Sequence, residues 1–142
     1  MDVHGPMVSA FIGVSHARMT ALKAQGIPIP PALQIRALID TGASGTCVDP
    51  SVLMPLGLTP TGVVAISTPT TGSAPVFKDQ YDVGLLVPPA TPTHLPLVIQ
   101  NLPVVCTDLL LAQGFHALIG RDILSICLMT YDGQAGFFSL AY

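Results

Sequence analysis

Proline and glycine constrain this chain more than any other feature. Fourteen prolines and thirteen glycines cut it into short apolar runs. Each proline fixes its own φ and biases the preceding residue away from helix. Short runs of Val, Ile, Leu and Phe bounded by turn residues read as strands, and the expectation is an all-β fold with one or two short helices. Strands are expected at residues 7–14, 34–39, 63–66, 76–83, 85–87, 95–99 and 102–106. A last hairpin, 129–131 with 137–142, is signalled by Asp132-Gly133. Residues 16–25 fit either a short helical turn or an irregular connection, and 108–113 either a helical turn or a loop. Pro50 opens a short helix that stops near Pro55-Leu56-Gly57, and a second follows Gly120 over 121–128. Strands 63–66 and 76–83 make a long hairpin with a small, polar tip.

Composition narrows the function. The 142 residues make one domain, residues 1–142. Only 9% are charged, and Arg18, Lys23, Arg36, Lys78 and Arg121 are scattered singly, which argues against a nucleic-acid surface. No run reaches the length of a membrane span. Positive mean hydropathy without such a span implies that a partner covers some apolar surface. The N-terminus lacks a basic region ahead of a long apolar stretch and does not read as a signal peptide. Cys47, Cys106 and Cys127 are odd in number and widely spaced, so free thiols and a reducing, cytoplasmic setting are expected. His4, His16 and His94 lack metal-ligand spacing, and no metal is expected.

The chemistry sits in two motifs. The apolar strand Ala37-Leu38-Ile39 ends abruptly in Asp40-Thr41-Gly42-Ala43, and Ala117-Leu118-Ile119-Gly120-Arg121-Asp122 answers it downstream. A carboxylate at the end of an apolar strand needs hydrogen-bond partners. Thr41 offers a hydroxyl, and Gly42 lets the backbone turn and bring its N–H to the acid. A simpler reading makes Asp40 the first residue of an Asx-turn. His116 reads on its own as a satisfied core or surface histidine. No G-x-S-x-G elbow occurs, and no Cys sits in a nucleophile setting.

In this order the two motifs, with the hairpin between them, resemble the retropepsin family of single-lobed aspartic proteases. The resemblance covers residues 7–142 and is closer to cellular and bacterial members than to viral ones. It implies a closed retropepsin-like acid-protease fold, homodimeric, with Asp40 of each subunit meeting at a twofold axis. One Asp-Thr-Gly per chain supplies one aspartate, and the chemistry needs two. The two carboxylates would share a proton, and the charged one would activate a water against an extended polypeptide. No metal or organic cofactor is needed. By the same resemblance Thr41 would bond its copy beneath the carboxylates, and Leu118, with His116 upstream, would line apolar pockets. Gly42 and Ala43 would bind substrate backbone, and the tip around Thr70, Thr71 and Gly72 would close as a flap. The strand 118–120 would pass beside the Asp40 loop. Viral members carry an acid after the Ala that pairs with the downstream Arg; here that position is Ser44, leaving Asp49 and Asp122 as candidate partners for Arg121. Two other functions are open: a catalytically silent dimer that binds extended peptides or serves assembly, and a self-processing domain of a longer precursor.

Overall fold

The computed structural model describes residues 5–67, 72–109 and 111–142. Nine strands form in order: β1 Met7–Val14, β2 Leu33–Ile39, β3 Cys47–Val48, β4 Gly62–Ile66, β5 Val76–Val87, β6 Leu97–Cys106, β7 Ala117–Ile119, β8 Leu128–Asp132 and β9 Phe137–Ala141. Three short helices, α1 His16–Ala24, α2 Pro50–Leu53 and α3 Arg121–Leu124, lie between them. The protein is mostly β, as its punctuation leads one to expect. Six strands close into a barrel in the order β1-β2-β7-β3-β6-β5, sealed by β1 against β5, with β4 added outside β5.

Alternation along each strand builds the core. Ala10 and Ile12 of β1, Ile35 and Ala37 of β2, Val83 and Leu85 of β5, Leu102 and Val104 of β6, and Ala117 and Ile119 of β7 point inward and are buried. Val52 and Leu53 of α2 and Ile123 of α3 join the same core. A period of two is what one buried face requires, since a one-residue slip would turn every inward side chain outward.

Of the two alternatives for residues 16–25 the helix forms, over 16–24, with Ser15 accepting a hydrogen bond from the Arg18 amide as an N-cap. Three local outcomes differ from expectation. Expected strands 76–83 and 85–87 are one strand that kinks at Gly84, where a Cβ would lie 2.9 Å from the Val14 carbonyl oxygen. Expected strands 95–99 and 102–106 also merge, into β6, which carries Pro103. The helix after Gly120 is shorter than 121–128 and stops at Leu124. Gly57 takes a left-handed conformation, φ 62°, and ends the turn after α2. The final hairpin turns over four residues, with the Ala135 amide donating to the Asp132 carboxylate and Gly136 at φ 73°.

Candidate active site

The tertiary fold does one thing to the Asp40 loop that local sequence does not. β2 and β3 are close in sequence but not hydrogen-bonded neighbours. β7, some 70 residues later, is inserted between them, parallel to β2 and antiparallel to β3. The register sets Ile39 beside Ile119, and the pairing runs one residue further, since the Asp40 amide donates to the Ile119 carbonyl at 2.9 Å. The connection from β2 to β3 therefore crosses the exit of β7 into α3, bringing the two sequence motifs together.

Within that loop the Gly42 amide donates to Asp40 Oδ1 at 2.8 Å, and the Ala43 amide donates to the Asp40 carbonyl at 3.2 Å. The first bond is an Asx-turn, so the simple structural role of Asp40 is present. A Cβ at position 42 would sit 3.1 Å from that same oxygen, and φ is not positive there. Gly42 thus eases close approach to the carboxylate and does not serve a left-handed turn. Asp40 is half-buried, while Thr41 and Gly42 are exposed. Among the described residues of the single chain the Thr41 hydroxyl has no hydrogen-bond partner.

Arg121 and Asp122 hold the loop from the other motif. The Arg121 guanidinium donates through Nη1 to the carbonyls of Thr41 at 2.8 Å and Gly42 at 3.1 Å, and its amide donates to the Ala43 carbonyl at 2.9 Å. Neither expected partner is used. Asp122 instead accepts from the Thr46 amide at 2.9 Å and from the Thr46 hydroxyl at 2.8 Å. Asp49 caps α2 through the Ser51 amide and also accepts from the Leu109 amide, both at 2.9 Å. Burial pushes the Asp49 carboxyl up, but these amide donors, the Ser51 hydroxyl and nearby His116 outweigh it and hold the carboxyl below its usual range.

The remaining expected residues fall as follows. Leu118 is half-buried and lies in a lateral row between Leu38 of β2 and Cys47 of β3. His116 accepts through Nδ1 from the Arg36 amide at 3.2 Å, while its backbone bonds Arg36 and Asp49. It stitches β2 to the start of α2, which matches its reading as a satisfied histidine. Gly72 is an exposed turn residue at φ 61°. Thr70 and Thr71 lie outside the described residues. Above Gln80, β5 pairs only with β4, because β6 ends its pairing there at Val105. The root of that hairpin therefore has no further strand pairing, though Phe77, Lys78 and Asp79 share a cavity wall with Pro50, Cys106 and Asp108.

Sequence reading missed Thr46 and Cys47. Burial pushes the Cys47 thiol up; the nearby Thr107 hydroxyl, which makes no hydrogen bond of ordinary geometry, opposes this, and the Asp122 and Asp40 carboxylates add to it. Cys47 is thus within electrostatic reach of Asp40. Its only sequence signal was its closeness to the motif, since no strand was expected at Cys47–Val48. All three cysteines are free and half-buried. Two shallow cavities of about 210 and 280 Å³ share Pro50 and Cys106 in their walls, and Asp40 lines neither. Among the described residues no helix is long and apolar enough to cross a membrane.

No protein-family model and no curated protein matches the chain.

Proposed function

We propose that this chain is one half of a retropepsin-like aspartic endopeptidase, a homodimer that cleaves extended polypeptides with a water held between Asp40 of two subunits. The observation that carries this reading is the crossing of the two motifs. Asp40 leaves β2 at the point where Ile119 leaves β7, and Arg121 of the second motif bonds the carbonyls of Thr41 and Gly42. A carboxylate built only to cap a turn would need neither the inserted strand nor the guanidinium behind it.

Exposure favours a shared site over a complete one. Thr41 and Gly42 face solvent, Asp40 lines neither described cavity, and the Thr41 hydroxyl is free to bond a second copy. In that dimer two carboxylates at hydrogen-bonding distance hold one proton between them, because like charges that close repel. The ionised carboxylate takes a proton from water as it attacks, and the protonated one bonds the scissile carbonyl. Leu118 and Cys47 would offer apolar wall beside the acid, fitting apolar side chains flanking the cut. Three free thiols suit a reducing, cytoplasmic setting.

The test is cleavage profiling of a mixed peptide library from acidic to neutral pH, with Asp40→Asn beside the wild type. The amide can still accept the Gly42 N–H, so the variant is expected to fold and to lose at least about a hundredfold in turnover for want of a general base. Equal cleavage by pure wild type and variant would remove Asp40 from the chemistry.

A further inference from the structure

The loop from Asp40 to Thr46 is tethered mainly by one short segment, residues 119–122, with one further bond from the Val105 amide of β6 to the Thr46 carbonyl at 3.0 Å. Ile119 takes the Asp40 amide, and Arg121 takes the carbonyls of Thr41, Gly42 and Ala43. Gly120 presses on Gly45, where a Cβ would come within 2.5 Å of the Gly45 oxygen. Asp122 takes Thr46. The last of these grips is the most chemically specific.

Thr46 is 2% exposed, and its hydroxyl both accepts from the Gly120 amide at 3.3 Å and donates to Asp122 Oδ1 at 2.8 Å. Asp122 Oδ2 receives the Thr46 amide at 2.9 Å, and Oδ1 also receives the Ile123 amide at 2.9 Å. Every group facing the two Asp122 oxygens here is a donor. A carboxylate accepts at both oxygens at once, whereas an amide would turn an N–H toward another donor. Position 46 in turn needs a group that donates and accepts at once, which a hydroxyl does and a methyl does not. Such charge-assisted bonds are stronger than neutral ones, and here they are anchored to the first turn of α3.

We propose that Asp122, acting through Thr46, is a positioning residue that holds Asp40 in its reactive place. This rests on Asp40 being the reacting carboxylate. The loop is pinned at one end by β7 and at the other by Asp122 and the Val105 amide, with the Gly45 backbone filling the space a side chain at Gly120 would need. With the Thr46 carbonyl still bonded to β6, slack released at its amide and hydroxyl passes toward the residues between, which carry Asp40 and the Gly42 amide that orients it. Displacement of a reacting group by about 1 Å costs on the order of a hundredfold in rate.

The experiment compares Asp122→Asn, Thr46→Val, Thr46→Ser and the double variant Asp122→Asn/Thr46→Val in the full chain. The readouts are kcat and KM on a quenched-fluorescent peptide pool with paired apolar residues, and hydrogen exchange of the amides of residues 40–46. Asp122→Asn and Thr46→Val are each expected to lower kcat roughly 10- to 100-fold with KM within about threefold. Exchange in residues 40–46 should rise while exchange in β1, β5 and β6 stays unchanged. Thr46→Ser should recover most of the loss seen in Thr46→Val, and the double variant should be little worse than either single one. Unaltered kcat in Asp122→Asn, a loss confined to KM, or Thr46→Ser as impaired as Thr46→Val would overturn the proposal. Should Asp122→Asn fail to fold, the Thr46 pair decides. If the wild type cleaves no peptide, the protease reading fails by itself, while the exchange data still test the grip: loosening confined to residues 40–46 upholds it, and unchanged exchange refutes it.

Discussion

At the scale of single residues, this protein uses its few charges for backbone work. Arg121, Asp122 and Asp49 all bind main-chain groups, where an ion pair had been the natural expectation for Arg121. Asp49 allows a pH prediction. Its folded carboxyl titrates below the ordinary value of 3.8. The unfolded chain therefore takes up the proton more readily, and Asp49 contributes stability above about pH 4 that is lost as pH falls through the folded value. Asp49→Ala should cost about 1–2 kcal/mol at pH 7, as for other lost N-caps. The gap to wild type should narrow at pH 3, read by urea denaturation at both; an equal gap would mean that the carboxylate's charge contributes nothing. Gly120 gives a second prediction. Its missing side chain leaves room for the Gly45 backbone, so Gly120→Ala must shift one segment or the other and should destabilise by about 1–3 kcal/mol. A thermal midpoint unchanged from wild type would show that the contact relaxes freely.

At the scale of elements, β8 and β9 pair only with each other, and the hairpin of β4 and β5 hangs on the barrel through the lower part of β5. The barrel supports β5 up to Gln80 through β6, and the paired residues beyond it have only β4. Gly72 near its tip sits at φ 61°, where a β-branched residue costs on the order of 1–2 kcal/mol. Gly72→Val should therefore loosen the hairpin without melting the barrel. Exchange should quicken over residues 62–80 and not in β1 or β2, and peptide turnover should fall more than the thermal midpoint does. Intact turnover per folded molecule would make the hairpin structural and not a lid. The same scale explains where strand boundaries were misjudged. Gly84 and Gln100-Asn101 look like breaks in sequence, yet one is a kink that a neighbouring carbonyl fills and the other lies within β6. Local punctuation cannot distinguish a bend within a strand from its end, because the difference lies in the partner strand.

At the scale of the whole molecule, a site exposed on one chain predicts dependence on a second. Specific activity should fall on dilution through the dimer dissociation range. Thr41→Ala removes a hydroxyl that has no partner among the described residues and should move that range to higher concentration, read by sedimentation alongside activity. A monomer with undiminished activity on dilution would end the two-half-site scheme. Much of this was legible in the sequence by itself. Turn residues between apolar runs determine short strands, alternation determines their inward faces, and Asp40-Thr41-Gly42 after an apolar strand marks the loop where a carboxylate is held by its own backbone. Those are local properties, set by dihedral preferences, side-chain period and hydrogen bonds within a few residues. Which strand lies between β2 and β3, what Arg121 grips and why Thr46 matters were decided only by tertiary structure. Each depends on contacts between residues more than 70 positions apart, and such contacts are chosen by how the barrel closes, not by the chemistry of any one segment.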